Sequence, residues 1–363
     1  MTSTPDTARA WVDVDLGALR ANARTLSDLT GSRLLPMVKG NGYGLGAVAV
    51  ARALLPLEPW GFGVASVEEA AALREAGIGL PLLVVSPLLP AQIDAYLRYD
   101  LRPTLGDVAA LDSWCGHSPA PFHVEIDTGM ARAGFRWNDP EARAALSERL
   151  AAAAGWEGVF THFHSADTDL GSADAQWARF VEVLASLPRR PLLVHAANSA
   201  AALHGPRFAG DLIRPGIFLY GGSVGERQPS PVAALHARVL AVRRLGAGDT
   251  VSYGATWCAR RDTTVATLAL GYADGFLRAA ELGGAKPARM VELGGALVPV
   301  VGRVTMDMTV VDVGDAVVHP GDVATIYGGR VSLDQQAAAA GTIAYEMLTS
   351  LAPRIPRCYG REE

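Results

Sequence analysis

The sequence predicts an α/β protein built as a (β/α)8, TIM-like barrel followed by a mostly β C-terminal domain. Three observations carry that expectation. Up to about residue 225, eight short apolar runs alternate with Ala/Leu/Arg stretches at helical spacing. Beyond it the texture turns to β-branched, glycine-punctuated runs of the kind that make antiparallel strands and tight turns. Between the two lies the polar segment GGSVGERQPSP, which marks a boundary. The domains are therefore placed at 11–225 and 226–363.

The barrel strands are expected, in order, at LLPMVK (34–39), GFGVAS (61–66), LLVVS (82–86), LRPTL (101–105), FHVEID (122–127), GVFTHF (158–163), PLLVHAA (191–197) and IRPGIFLYG (213–221). Helices are expected between them, as in VEEAAALREAG (67–77), DPEARAALSERLAAAAG (139–155) and DAQWARFVEVLASL (174–187). Parallel strands need crossovers, and eight of them close a cylinder. An open doubly wound sheet is the main competitor, and the lack of G-x-G-x-x-G after the first strand weakens its dinucleotide-binding version. In the second domain PVAALHARVLAVRRL, GDTVSYGATW, DTTVATLALGYADG, ARMVELGGALVPVVGRVTMDMTVVDVG and GDVATIYGG read as strands, and SLDQQAAAAGTIAYEMLTSL (332–351) as helix.

Composition narrows the function classes. Half of the 363 residues are hydrophobic and 19% are charged, enough to bury a large core and to exclude disorder. No run approaches the roughly 20 apolar residues of a membrane span. The opening MTSTPDTARAWVDVD lacks the basic and apolar regions of a signal peptide, so the expected location is cytoplasmic. Three cysteines, odd in number and far apart, argue against a disulfide framework or a cysteine-built metal site. A net charge of −5 without basic clusters argues against nucleic acid as a partner. Of the 32 basic residues only Lys39 and Lys286 are lysines, so any chemistry needing an amine has two candidates.

A barrel of this kind places its site at the C-terminal ends of its strands. Those ends carry Lys39, Ser66, Ser86, Thr104, Asp127 with Arg132 beyond it, His162, Asn198 with Ser199, and Arg214. Polar loops are ordinary, but Lys, His and Arg together are less so. Lys39 enters GNGYGLG, where glycines let the backbone approach a ligand and Tyr43 adds a phenolic donor. In isolation Lys39 also reads as a solvated loop lysine. In a desolvated mouth it would have the depressed pKa that a covalently acting lysine requires. Lys286, in GGAKPAR, reads as a turn lysine.

MVKGNGYGLG (37–46) resembles the pyridoxal 5'-phosphate attachment segment of the alanine racemase family. The resemblance continues, in order, through IDTGMARAGF (126–135), THFHSAD (161–167), HAANSAA (195–201), RPGIFLYG (214–221), VSYGATW (251–257), GYADGF (271–276), VGRVTMDM (301–308) and RIPRCYG (354–360). It implies the barrel-plus-β architecture, with residues 1–10 contributing to the β domain. It implies that Lys39 holds pyridoxal phosphate, while Tyr43, Ser199 and the backbone N–H groups of Gly216 and Ile217 hold its phosphate. Asn198 belongs to the same cofactor site. Ser199 also reads as a helix N-cap. Arg214 would face the pyridine nitrogen; because arginine only donates, that nitrogen must accept and stays largely unprotonated.

Racemisation requires a proton removed from one face and returned to the other. The resemblance makes Lys39 and Tyr253 the two bases. A tyrosine hydroxyl ordinarily titrates near 10, so it needs support, which His162 would give. His164 would share His162's face if the strand continued. In this family the β domain of one subunit completes the barrel mouth of the other. The resemblance thus implies a head-to-tail homodimer with Tyr253 acting in trans and Tyr272, Met306 and Asp307 lining the shared site. Met306 also reads as β-domain core.

Arg132 would contact the cofactor's phenolic oxygen and the substrate carboxylate. Where the family often carries a carbamylated lysine that orients this arginine, the chain has Glu125, which supplies the same charge on a shorter arm. The other reading of Glu125 is a strand residue facing solvent. Pro353 stands where some members place a tyrosine that narrows the site, and Met308 replaces a common glutamine. The implied activity is racemisation of a small amino acid, alanine by default. The alternatives are a racemase of another small amino acid in a specialised pathway, a decarboxylase of the same architecture, and a non-catalytic carrier of the cofactor.

Overall fold

The computed structural model describes residues 7–278 and 289–360, so Lys286 lies outside the described residues. The chain opens with strand β1 (Ala10–Val14), followed by the helix Leu16–Thr30, which Asp15 caps by accepting from the Ala18 N–H at 2.8 Å. The barrel region holds β2 (Arg33–Leu34), β3 (Phe62–Val64), β4 (Leu82–Pro87), β5 (Leu101–Leu105), β6 (Phe122–Asp127), a short side pair β7 (Phe135–Arg136), β8 (Trp156–Phe160), β9 (Leu193–His195) and β10 (Leu212–Ile213). The parallel order is β3-β4-β5-β6-β8-β9-β10-β2. A bridge between Met37 and Gly63, with the Val38 N–H donating to the Gly63 carbonyl at 2.8 Å, joins the ends and closes the ring.

The second domain contains β11 (Ala233–Leu245), β12 (Thr250–Val251), β13 (Trp257–Cys258), β14 (Thr263–Leu268), β15 (Met290–Leu293), β16 (Ala296–Val301), β17 (Thr309–Gly314), β18 (Val323–Tyr327) and β19 (Arg357–Tyr359). Its main sheet runs β14-β17-β16-β15-β18-β11-β1-β19, with β14 also paired to β11. β1 lies antiparallel to β11 and parallel to β19. The first strand of the chain therefore belongs to the C-terminal sheet, and the barrel begins at Leu16 rather than at residue 11. Among the described residues no helix is long and apolar enough to cross a membrane.

Several expected elements are shorter or broken, three of them for a clear local reason. The run 213–221 is a strand only to Ile213. Pro215 has no N–H for a ladder, and residues 216–222 fold into tight turns closed by Leu219 N–H to Gly216 O (2.8 Å) and Tyr220 N–H to Ile217 O (3.0 Å). The strand at 158–163 stops at Phe160. The buried Gln176 side chain then takes over the backbone, donating to His162 O and accepting from the His164 N–H, both at 3.1 Å. His164 is consequently exposed and bonded to Ser165. The helical stretch at 332–351 breaks at Gly341, whose φ of 77° ends the helix Leu333–Ala340 before Ala344–Thr349 begins.

Candidate active site

Lys39 stands at the head of the barrel, and the chain behind it folds in an unusual way. Gly40, Asn41, Gly42, Tyr43 and Gly44 all have positive φ, from 51° to 82°. This is a left-handed turn, which costs ordinary residues about 1–2 kcal/mol each and explains why three of the five are glycine. Its neighbours hold it in place. The Asn41 Oδ1 accepts from the Ala47 N–H (3.0 Å), Glu69 accepts from the Gly40 N–H (2.6 Å), Arg357 Nε donates to Gly44 O (2.9 Å) and the Tyr359 hydroxyl donates to Leu45 O (2.9 Å). The turn throws Tyr43 back into the barrel, stacked on Tyr220 at 4.4 Å; the Tyr220 hydroxyl donates to Met37 O.

A cavity of about 330 Å3 opens here, lined by Lys39, Tyr43, Arg132, His162, Asn198, Ser199, Arg214, Gly216 and Ile217. Nine residues singled out in the sequence therefore meet in one place. Met37, Gly40, Val85, Phe160, Tyr345 and Thr349 complete the lining. These six were not anticipated as site residues, and Tyr345 lies in a stretch legible only as helix.

Lys39 is half-buried; burial, then the charges of Arg132 and Arg214, depress its pKa, against an opposing pull from Glu69. Burial raises the pKa of Tyr43, which keeps it a hydroxyl donor. Asn198 caps the short helix Ser199–Ala202 by accepting from the Ala201 N–H at 3.0 Å, so the cap is Asn198 and not Ser199. The Ser199 hydroxyl instead accepts from the Gly216 N–H at 2.8 Å. A Cβ on Gly216 would come within 2.3 Å of the Tyr43 hydroxyl, so glycine is required for this close approach.

Arg214 is buried, and all its Nη hydrogens are engaged. Nη1 donates to His195 Nδ1 (2.7 Å) and His195 O (3.0 Å); Nη2 donates to Thr161 O (2.7 Å), Ala196 O (3.1 Å) and, more weakly, His162 Nδ1 (3.4 Å). Among the described residues its Nε–H has no partner, and Arg214 lines the cavity. Burial lowers its pKa to about 10, with Glu125 opposing, so it remains charged at neutral pH. Burial and the charges of Arg214, Arg132 and Lys39 push His162 down to about 3, leaving a neutral ring.

Glu125 is 4% exposed, which removes the solvent-facing reading. Burial raises its carboxyl pKa while Arg132 and Arg214 pull it down. Among the described residues it makes no ion pair within 4.0 Å of Arg132, so the two couple through space and not by a bond.

Tyr253, Tyr272, Met306 and Asp307 lie apart from this lining, on the second domain. Tyr253 is 69% and Met306 53% exposed, so Met306 is not core. The loops carrying them are lashed together. Ser252 Oγ donates to Arg303 O (2.6 Å), the Tyr272 N–H to Thr305 O (3.0 Å) and the Ala273 N–H to Met306 O (2.9 Å). Buried Asp274 accepts from Arg9, Arg354 and the Gly271 N–H, and Arg354 also holds Asp307 at 2.7 Å. The result is a cross-braced, exposed rim.

Residues 14–224 match the family model described as alanine racemase, N-terminal domain, and residues 232–359 match alanine racemase, C-terminal domain. The chain is 38% identical to the alanine racemase of Deinococcus radiodurans over 97% of its own length and 99% of that protein's. It is 39% identical to that of Salinispora tropica, over 98% and 99% respectively. Among solved structures it superposes on alanine racemase from Bartonella henselae with covalently bound pyridoxal phosphate at a TM-score of 0.88, with 30% identity, covering 97% of this chain and all of that one.

Proposed function

The chain belongs to the alanine racemase family, and from that premise we propose how its residues interconvert the L- and D-forms of alanine. The observation that carries the reading is Lys39. It is the one lysine among the described residues, and it lines a cavity that also holds the side-chain donors of Tyr43, Arg132, Ser199 and Arg214. The donor set suits pyridoxal phosphate. Tyr43, Ser199 and the glycine-narrowed approach at Gly216 suit a phosphate dianion, and the free Nε–H of Arg214 suits an accepting pyridine nitrogen. When bound, the cofactor draws electrons from the α-carbon of the amino acid and makes its proton removable.

The chain's own groups then divide the work. Lys39, with its depressed pKa, exchanges a proton on one face of the α-carbon. Arg132 steadies the substrate carboxylate. Tyr253 of a second copy serves the other face, brought there with Tyr272, Met306 and Asp307 in a head-to-tail homodimer. Because arginine only donates, His162 Nδ1 must accept from Arg214, which puts the ring proton on Nε2. That N–H can stabilise negative charge on the Tyr253 oxygen.

The test is solvent exchange: the protein is incubated with L-alanine in deuterium oxide. Racemic alanine carrying α-deuterium supports the proposal. Release of an amine with carbon dioxide would make the chain a decarboxylase, and unaltered alanine would make it a carrier; either overturns it.

A further inference from the structure

Below Arg214 the barrel interior holds a chain of polar groups that the proposed mechanism does not use. His195 Nδ1 meets Arg214 Nη1 at 2.7 Å, His195 Nε2 meets His123 Nδ1 at 2.8 Å, and His123 Nε2 meets Glu157 Oε2 at 3.3 Å. Both imidazoles are fully buried. Glu157 sits at the start of β8, at the barrel end opposite the cavity, with Arg102 Nε 3.6 Å from its carboxylate.

Arginine fixes every proton in this chain. It can only donate, so His195 Nδ1 accepts and the His195 proton lies on Nε2. That proton can go only to His123 Nδ1, which places the His123 proton on Nε2, directed at Glu157. The reverse arrangement would set a His195 Nδ1–H against an Arg214 N–H, donor against donor. Only an acceptor at position 157 terminates the chain correctly.

We propose that Glu157 is a positioning residue for Arg214, acting across the barrel through a one-way hydrogen-bond relay of two neutral histidines. The relay holds the Nη side of the guanidinium inward and so leaves Nε–H pointing into the cavity; this deepens the reading of Arg214 given above and rests on it. The packing around the relay is specific. A Cβ on Gly158 would lie 2.5 Å from His123 Nδ1, so glycine makes room for the first ring. Trp60 packs against His123 at 5.4 Å, Phe160 stacks on His195 at 5.0 Å, and Arg214 lies over the same Phe160 ring at 5.0 Å. The electrostatics agree. Burial depresses both histidines towards the neutral form. Burial alone would raise Glu157, but the bond from His123 and the neighbouring positive charge hold it below the usual carboxylate range.

The direct test is solid-state 15N NMR of the holoenzyme with ring-labelled histidine, assigned with His123→Gln and His195→Gln. The relay requires both rings to show pyridine-type Nδ1 and pyrrole-type Nε2, unchanged between about pH 6 and 9. An imidazolium or a protonated Nδ1 in either ring overturns it. Kinetics and cofactor absorbance supply the second arm. Glu157→Gln keeps a carbonyl acceptor and should hold the tautomers, with kcat within about twofold of the parent. Glu157→Leu removes the acceptor, and should shift the cofactor's absorbance and lower kcat about tenfold with KM little changed. Correct tautomers with unaltered absorbance and kcat in Glu157→Leu would make the relay purely structural and overturn the proposal. That outcome would leave the deuterium-exchange result, and with it the proposed reaction, untouched. If Glu157→Leu does not fold, the ring tautomers of the parent and of Glu157→Gln decide.

Discussion

Lys39 lines the barrel cavity, whereas Tyr253 stands 69% exposed on the other domain of the same chain and takes no part in that lining. A single copy thus presents an amine inside the barrel mouth and a phenol on an exposed rim.

The lysine count makes cofactor attachment decidable. Borohydride reduction should fix the cofactor to the peptide containing Lys39 and leave Lys286 unlabelled. Label on Lys286 after peptide mapping would remove Lys39 from the proposed mechanism.

Glu125 is buried and feels the charges of both Arg132 and Arg214 without an ion pair to Arg132. Glu125→Gln removes the negative charge that both arginines feel. It should raise KM for alanine and lower kcat/KM about tenfold, or ~1.4 kcal/mol at the transition state. Added bicarbonate should change nothing, because no lysine stands at this position to be carbamylated. Steady-state kinetics that match the parent would mean that Arg132 is oriented by other groups.

Buried neutral histidines make the fold acid-sensitive. His123 and His195 are depressed by burial, and His162 is pushed down to about 3. The unfolded chain binds protons at an ordinary 6.5 or so, the folded chain at lower pH, and well below that value for His195 and His162. The unfolded state therefore holds more protons once pH drops below that value, and stability falls with pH. Each ring that is protonated in the unfolded chain and neutral in the folded one contributes a slope of about 1.4 kcal/mol per pH unit. Urea midpoints should be flat near pH 7–8 and decline from about pH 6.5 downward. A midpoint that rises towards pH 5 would contradict the neutral assignment.

Much of this was legible in the sequence because it rests on local chemistry. Apolar runs bounded by turn residues located most of the strands, and of the polar residues at their ends Lys39, Arg132, His162, Asn198, Ser199 and Arg214 line the cavity while Ser66, Ser86, Thr104 and Asp127 do not. The errors came where a distant group overrides local pattern. Gln176 ends β8 and turns His164 out to solvent, Pro215 stops β10, and the pairing of β1 with β11 and β19 takes the first strand out of the barrel. Phe160 and Tyr345 were read only as strand and helix residues, because nothing in their own segments says what their side chains face. The relay from Arg214 to Glu157 joins residues up to 72 positions apart between consecutive links, which no periodicity exposes.

The central claim is that Lys39 and Tyr253 act from different copies of the chain. Lys39→Ala and Tyr253→Phe, each inactive alone, are mixed under conditions where subunit exchange is verified. One site of each mixed dimer then holds two intact groups and the other holds none. Racemase activity should return towards about a quarter of the parent level, the share expected when half of the dimers are mixed and each has one working site. No recovery after verified exchange would contradict the claim and place both groups within one chain.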